Sequence, residues 1–247
     1  MKPQVYLPHD FRQHFISQIK RFVDIYSLKL KPVFTNIDIE AEEHANHFFK
    51  EALKYDYRDY SIELSDIADE AKDRAAKHWD MLNHGRYVLI ASWHVALYEA
   101  FEQQMRSYLI RELKHDYQFE SRYFFSYLKD FREIFSKYGV NLESIKGLEQ
   151  IEQLGLLCNV IKHGDGGSAI QLREKRPDLI KTIDDIELLD FYGYSLFEEV
   201  LEIGEFTLME FGNAIVSFWE SFPERSFCDD TDSIKQLLKK CRAPRHY

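Results

Sequence analysis

The stretch LESIKGLEQIEQLGLLCNVIKHGDGGSA, residues 142–169, carries both a helical pattern and the signals that end it. Its apolar residues recur at helical spacing and predict a helix over 142–163, with Asn141 placed to cap it. Glycines then end this helix, and Ser168 opens a shorter helix that ends at Pro177. The stretch therefore predicts helices that pack through one apolar face.

Helical periodicity continues through most of the chain. Only residues 182–189 favour an extended conformation. The last long helix starts with a capping box, in which Ser195 precedes Glu198 by one helical turn. Neither repeats nor a strand–helix alternation is present, so the sequence predicts an all-α, up-and-down helical bundle. Four of its packed helices are expected over residues 86–113, 119–138, 142–163 and 195–221.

Additional helices precede this bundle. They are expected over residues 9–26 and 37–54. A third pattern starts near Ser61, and it either breaks at Gly85 or continues to Leu113. The expected organisation is an N-terminal helical segment (1–80), a helical bundle (81–221) and a basic C-terminal tail (222–247).

The composition is that of a globular protein, because 45% of the residues are hydrophobic and 15% are aromatic. Three widely spaced cysteines fit a reducing compartment better than a disulfide framework. The most apolar stretch, YVLIASWHVALY at residues 87–98, is shorter than the roughly 20 apolar residues that a membrane span needs. We therefore expect a soluble, cytoplasmic protein with no membrane partner.

Charge is distributed unevenly along the chain, whose net charge of −10 disfavours general attraction to nucleic acid. Residues 184–205 carry eight carboxylates and neither lysine nor arginine. By contrast, residues 162–181 and the chain after Ser233 are basic, and any bound polyanion is expected to meet these two zones. The tail from Lys235 onward is expected to be mobile.

A histidine-rich segment suggests a different kind of site. Its side chains share one face of a helix, at a spacing that could hold a transition metal inside a bundle. No second helix supplies a matching Glu-x-x-His, however, and the segment is acidic throughout. We therefore interpret it as a solvated face and expect neither a metal nor a cofactor. The residues concerned are Glu40, Glu43, His44 and His47.

The last turn of the helix over 142–163 is the best candidate site. Asn159 and His163 lie four residues apart, so they share a helix face and can reach one ligand. The helix dipole favours imidazolium at this end, and His163 beside Lys162 could be a general acid with a phosphate-neutralising neighbour. The alternative is structural, because lysine and histidine are common at helix ends before a glycine. Cys158 is interpreted as a buried hydrophobe rather than a nucleophile.

Two segments of the chain resemble a known family. YEAFEQQMRSYL (98–109) and CNVIKHGDGGSAIQLREKRPDLI (158–180) are similar to motifs of an uncharacterised bacterial family related to the HEPN superfamily. The second motif reads Asn-x-x-Lys-His-Gly-x-Gly, then Ser-Ala, a leucine and Arg-Pro-Asp-Leu. The similarity covers residues 86–221. It implies a helical bundle that forms a homodimer through the helices that carry the motifs.

The resemblance also implies a set of site residues. In catalytic HEPN proteins an arginine, a polar residue and a histidine from each subunit line the dimer cleft and cleave RNA without a metal. By their places in the motifs, Asn159 matches the polar residue, His163 the histidine, and Glu102 the glutamate of the earlier helix. The resemblance therefore predicts a cleft in which these three side chains meet.

This sequence departs from that pattern at the arginine. The positions expected for it hold Leu156, Leu157 and Cys158. A cation from elsewhere would have to replace it, and the ammonium of a lysine lacks the bidentate fork of a guanidinium. The candidate replacements are Lys162, Arg173 and Arg176, and the residues expected to contact substrate are Asp165, Ser168, Arg173 and Arg176.

Two functions of different classes follow. The first is a metal-independent endoribonuclease of the toxin or phage-defence type, in which a ribose 2′-hydroxyl attacks the adjacent phosphate. His163 would transfer a proton and Lys162 would stabilise the developing charge, with Asn159 orienting the phosphate and Glu102 the histidine. The alternative is a non-catalytic dimeric helical module that binds RNA, a nucleotide or a protein. An antitoxin or a regulatory protein is a candidate partner.

Overall fold

Helices account for most of the described chain, which confirms the predicted all-α class. The structure, a computed structural model, describes residues 2–54, 63–121, 124 and 128–240. The strands in this part form two short antiparallel ribbons, one at the chain ends and one within the chain. In chain order the elements are β1 (Gln4–Tyr6), α1 (His9–Ile25), α2 (Ile37–Ala52), α3 (Leu64–Asp116), α4 (Leu128–Lys137), α5 (Leu148–His163), α6 (Gly167–Lys175), β2 (Thr182–Ile183), β3 (Ile186–Glu187), α7 (Leu188–Tyr192), α8 (Glu205–Ser221), β4 (Arg225–Phe227) and α9 (Thr231–Lys240).

The long helix α3 organises the fold. It contains 53 residues and, at 1.5 Å per residue, is about 80 Å long. The helix passes through Gly85 without a break, so the continuous alternative for this part of the sequence is the correct one. At Gly85 the ring of Phe34 lies 3.6 Å from the position that a Cβ would occupy, so this side of α3 is covered by the turn that precedes α2.

The two ends of α3 have different surroundings. Its first turns pack against α2, and only Ile67 and Ala71 are buried on α3 before Tyr87. From Tyr87 onward the helix lies in the core, where it packs against α1, α5 and α8. We call α2 together with residues 64–86 of α3 the arm.

The core is built around α5 and α8. Aromatic rings fill the space between α1, α3 and α8, with the ring centroids of Phe15 and Trp219 4.6 Å apart. The side chain of Gln104 is buried in this region. It accepts a hydrogen bond from the Trp219 indole (2.8 Å) and donates one to the carbonyl of Phe15 (3.1 Å). These bonds connect three helices through a buried amide whose hydrogen-bonding groups are satisfied.

Two predicted helices are shorter in the structure. Residues 119–121 lie outside any α-helix, residues 122–123 and 125–127 fall outside the described part of the chain, and α4 begins only at Leu128. The helix predicted over 142–163 begins at Leu148, because Gly147 adopts a left-handed conformation (φ 80°) that interrupts it. Asn141 caps a preceding 3₁₀ turn instead, where its side chain accepts a hydrogen bond from the amide of Glu143 (3.2 Å).

The last long helix begins at Glu205, so the predicted start at Ser195 is wrong. Thr207 closes its first turn, accepting a hydrogen bond from the amide of Gly204 (2.9 Å). Ser195 serves another helix: its buried hydroxyl lies 2.8 Å from the carbonyl of Val160 and 2.9 Å from that of Ile161, at the end of α5. Ser195 is therefore a tertiary cap for α5 rather than the start of a capping box.

Replacing Ser195 by alanine is expected to lower the free energy of unfolding by about 1–2 kcal/mol, because carbonyls at the end of α5 lose a buried donor. Chemical denaturation near neutral pH measures the loss. Ser92→Ala, at an exposed position on α3, is the matched control and should change stability by less than about 0.5 kcal/mol. Equal stability of the two variants would contradict the capping role of Ser195.

The segment predicted to be extended, residues 182–189, is extended only in part. β2 and β3 form a hairpin whose turn residues, Asp184 and Asp185, both have positive φ (50° and 64°). Two left-handed residues in succession are the backbone of the tight turn that matches the twist of a hairpin. From Leu188 the chain is helical again.

The two ends of the described chain lie together. β1 pairs with β4 so that Val5 stands opposite Ser226. α9 follows, packs against α4, and buries Ile234, Leu237 and Leu238. Residues 235–240, which the sequence places in a mobile tail, therefore belong to a packed helix, and residues 241–247 fall outside the described part.

Candidate functional site

The predicted site residues of α3 and α5 lie where these two helices pack together. Tyr98 and Glu102 are one turn apart on α3, and the Tyr98 hydroxyl donates a hydrogen bond to the Glu102 carboxylate. The Tyr98 ring covers Gly155 of α5, where its atoms would lie 3.1 Å from a Cβ. Lys162, further along α5, is close enough to act electrostatically on Glu102. The structure thus brings Glu102 and Lys162 together.

Burial controls the ionisation of Glu102. Its partial removal from water raises the pKa of the carboxyl to about 7, although the Tyr98 hydrogen bond and the Lys162 charge both oppose the rise. The neighbouring charge of Glu99 adds a smaller increase. A carboxyl with a pKa near 7 takes up and releases protons at neutral pH, which is the property required of a general acid or base.

The last turn of α5 carries Asn159, Lys162 and His163, all exposed. The side chains of Asn159 and His163 have no hydrogen-bonding partner in the described part of the chain. The end of α5 is closed by other groups, since the Gly164 amide donates to the carbonyl of Val160 (2.8 Å) and the Ser195 hydroxyl reaches the same carbonyl. Helix capping, the structural role considered for Lys162 and His163, is therefore carried out by Gly164 and Ser195.

The loop after His163 is held by main-chain contacts. Gly164 has a φ of 72°, in the left-handed region that favours glycine, and a Cβ there would lie 2.4 Å from the carbonyl oxygen of Gly193. The amide of Asp165 donates a hydrogen bond to that same oxygen (3.1 Å). These contacts place the loop that follows His163 directly beside the segment that contains Gly193 and Tyr194.

Arg173 and Asp165, two of the predicted substrate contacts, belong to an ion-pair cluster. Arg173 donates through Nε to both carboxylate oxygens of Glu187 (2.7 and 3.0 Å) and through Nη1 to Asp165 (2.7 Å). The hydrogen bond from Arg173 lowers the pKa of Asp165. Two carboxylates thus compensate one guanidinium, which would have to leave them to bind a phosphate. Ser168, the third contact, is half-buried in the first turn of α6.

Arg176 is paired in the same way. Its Nη1 lies 2.8 Å from a carboxylate oxygen of Glu210 on α8, and its Nη2 lies 2.8 Å from one of Asp178. Of the three cations considered as replacements for the missing arginine, Lys162 is the one that acts on Glu102. The geometry therefore separates Lys162, which acts on Glu102 and shares the last turn of α5 with Asn159 and His163, from Arg173 and Arg176, which stabilise the packing of neighbouring elements.

Sequence reasoning missed Tyr98 and Ser195. A signal for Tyr98 exists, because it stands one turn before Glu102 in the first motif, whereas no local pattern points from Ser195 to α5. Cys158 is buried, as its place on the apolar stripe predicts, and its Sγ lies 3.5 Å from the carbonyl of His94. Burial raises the pKa of this thiol, which disfavours a nucleophilic thiolate.

The histidine-rich face of α2 meets α3 in the arm. His44 stacks on His78 of α3, with ring centroids 4.4 Å apart and planes within 3° of parallel, and Nε2 of His78 lies 3.6 Å from Oε1 of Glu40. Glu43 and His47 are exposed. Across residues 2–54, 63–121, 124 and 128–240, no group of three or more histidine, cysteine or acidic side chains is arranged to hold a metal ion.

Comparison with protein-family models, with curated proteins and with solved structures finds no match to this chain. Within the described residues, none of the helices combines the length and the apolar character that crossing a membrane requires.

Proposed function

We propose that the chain is a HEPN-like, metal-independent endoribonuclease of the toxin or phage-defence type, with Glu102 and His163 as its acid–base pair. The observation that carries the proposal is that Asn159, Lys162 and His163 are exposed at the end of α5 although other residues cap this helix. One of them, Lys162, acts electrostatically on Glu102, whose pKa of about 7 suits proton transfer at neutral pH. Exposed polar groups that do not cap their helix, on the same turn as a lysine that acts on such a carboxyl, favour a chemical role.

The reaction that fits these groups is internal transesterification of RNA. The ionised Glu102 carboxylate accepts the proton of a ribose 2′-hydroxyl, and the 2′-oxygen forms a bond to the adjacent phosphorus. The bond from phosphorus to the 5′-oxygen breaks, and the His163 imidazolium gives its proton to that leaving oxygen. The products are a 2′,3′-cyclic phosphate and a free 5′-hydroxyl, so protons and electrons balance. Lys162 stabilises the charge on the phosphate oxygens, and Asn159 orients them.

A homodimer is part of this proposal. The side chains at the end of α5 lie on an open surface, and a second copy of the chain would supply the opposite wall of an RNA cleft. Light scattering is expected to give twice the monomer mass of 29.5 kDa. A monomer at concentrations where the protein is active would contradict a shared cleft.

The second candidate function is a non-catalytic module that binds RNA, a nucleotide or a protein such as an antitoxin. The pairing of Arg173 and Arg176 with carboxylates favours it, because these guanidiniums are occupied. The net charge of −10 favours in particular a module that binds a protein, since it weakens attraction to RNA.

A cleavage assay with defined ends separates the two functions. Purified protein is incubated with single-stranded RNA in the presence of EDTA, and the products are analysed for 2′,3′-cyclic phosphate. The matched substrate has 2′-deoxyribose at the scissile nucleotide and is expected to stay intact, because it lacks the nucleophile. RNA that is bound but not cut, cleavage that EDTA abolishes, or cleavage of the deoxy substrate would each overturn the endoribonuclease proposal.

The charge of Lys162 should be visible in the pH dependence of cleavage. Lys162 lowers the pKa of Glu102, so its replacement by methionine should raise that pKa. Because the ionised form of Glu102 is the base, the acidic limb of the pH–rate profile is expected to move to higher pH in Lys162→Met. Lys181→Met, which removes a cation paired with Glu199, is the control and should leave this limb in place. An unmoved limb in Lys162→Met would contradict the role of Glu102 as base.

A further inference from the structure

A row of four aromatic rings, three of them exposed and one (Tyr192) partly buried, lies next to the end of α5. Phe191, Tyr192, Tyr194 and Phe197 contact one another in sequence, with centroid separations of 4.9, 5.8 and 5.7 Å. Phe191 is 69% exposed and Phe197 is 74% exposed. We call these four residues the aromatic row. Large adjoining apolar side chains on a surface indicate a place where another molecule binds.

The charges of the segment that contains the aromatic row indicate the chemistry of that molecule. Residues 184–205 contain eight carboxylates and no lysine or arginine. Three of the eight are neutralised by cations from other parts of the chain: Glu187 by Arg173, Glu199 by Lys181 and Glu205 by Lys31. The other five are exposed and have no ion pair in the described part of the chain, and they are Asp184, Asp185, Asp190, Glu198 and Glu202. Two of them, Asp190 and Glu198, directly flank the row in sequence.

The aromatic row is fixed to the loop that directly follows His163. The carbonyl of Gly193 accepts the hydrogen bond from the Asp165 amide, and the Cα of Tyr194 would lie 3.1 Å from a Cβ at position 164. His163 is the residue immediately before that position. The row therefore lies beside the loop that begins directly after His163.

We propose that the aromatic row is the docking surface for a cationic, arginine-bearing segment of a partner protein. A guanidinium gains from stacking on an aromatic face and from pairing with a nearby carboxylate, and this surface offers both at once. RNA bases could also stack on the rings, but the carboxylates of Asp190 and Glu198, which directly flank the row, repel the phosphates that accompany them. A second copy of the same surface is disfavoured for the same reason, since like charges would face each other.

Because the row adjoins the loop after His163, we expect its occupation also to restrict access to His163. This consequence rests on the proposed ribonuclease function, because only then does the covered residue carry activity. Docking itself does not depend on cleavage, so it can be measured on protein that cuts nothing. One experiment can therefore contradict the docking proposal without contradicting the ribonuclease proposal, and the reverse also holds.

The test measures binding of a short synthetic peptide of alternating arginine and leucine to the full chain by calorimetry. Phe191→Ala and Phe197→Ala are each expected to weaken binding by about tenfold, as for central aromatic contacts in interfaces. These substitutions leave the net charge unchanged, so the loss reports the rings. Phe227→Ala, which removes a half-exposed ring on β4, is the matched control and should bind the peptide like the wild type. Circular dichroism verifies that each variant is folded.

Charge is tested separately. The double variant Asp190→Asn with Glu198→Gln is expected to weaken binding and to flatten its salt dependence, and a peptide with glutamate in place of arginine should not bind. Repeating the measurement on His163→Ala protein, which retains the row, should give unchanged affinity. Peptide affinity that is equal in Phe197→Ala and wild type would overturn the proposal. The proposal would also be overturned if Phe197→Ala lost RNA binding or dimerisation but bound the peptide as the wild type does.

Discussion

Replacing Glu102 by glutamine is expected to lower the rate of RNA cleavage by about 10²- to 10⁴-fold, the usual contribution of a general acid or base. The same substitution should stabilise the fold at alkaline pH. The pKa of Glu102 rises from 4.5 to about 7 on folding, so between these values the folded state holds a proton that the unfolded state has lost. Stability therefore falls as pH rises through this window, and the loss is complete above it.

Glutamine removes that loss because it has no proton to release. Since Glu102 is only partly buried, solvent screening reduces the expected gain to about 1 kcal/mol at about pH 8, with little gain at about pH 5. Urea denaturation at the two pH values and single-turnover cleavage on the same samples measure both effects. A Glu102→Gln protein that is less stable at the higher pH, or that cleaves RNA normally, would contradict the assignment.

His163→Ala is the companion variant. It should lose cleavage to a similar extent, but its stability should change by less than about 0.5 kcal/mol, because the side chain is exposed and α5 is capped by Ser195 and Gly164. The two substitutions are thus expected to differ in their effect on folding and to agree in their effect on cleavage. A large drop in the unfolding midpoint of His163→Ala would show that the residue is structural.

The second large effect is expected in acid. His94 is fully buried; its Nδ1 lies 2.8 Å from the carbonyl of Ile90 and its Nε2 lies 3.1 Å from the Thr207 hydroxyl. Burial lowers the pKa of the imidazole from 6.5 to about 4. Between these values the unfolded state binds a proton that the folded state does not. Stability is therefore fully present above pH 6.5 and is lost as pH falls, by about 3 kcal/mol in total.

A histidine substitution isolates this effect from the other titrating groups. The unfolding free energy of the wild type falls between neutral pH and a pH near 4. In His94→Gln this fall should be smaller by about 3 kcal/mol. His14→Gln, at an exposed position on α1, is the control and should retain the wild-type dependence. Should His94→Gln fail to fold, NMR titration of the wild-type ring gives the same answer. A His94 ring that titrates near its usual pKa while the protein is folded would contradict the prediction.

The helical periodicity of the sequence was enough to predict the all-α class, and it placed the end of α5 at His163. It could not decide whether α3 breaks at Gly85, because a glycine inside a helical pattern is compatible with either outcome and packing against Phe34 is a tertiary contact. The false start at Ser195 has a similar origin. The local pattern there fits a capping box, but the carbonyls at the end of α5 compete for the same hydroxyl.

The site was predictable only along one helix. Asn159, Lys162 and His163 are neighbours on α5, so their spacing was sufficient to group them. The position of Glu102 beside Lys162 depends on how α3 packs against α5, and it was expected only from a resemblance to known proteins. The pairing of Arg173 with Glu187 and of Arg176 with Glu210 could not be read from spacing, since each partner lies on a different element.

Because α3 is unbroken, it fixes the distance between the far end of the arm and Glu102. Leu64 and Glu102 are 38 residues apart on it (102 − 64), which corresponds to about 57 Å along its axis. Each residue also turns the helix by about 100°, so the direction of any side chain on the arm is set relative to Glu102 by the backbone rather than by a loop. A molecule attached near Leu64 is therefore held at a fixed distance and azimuth from Glu102.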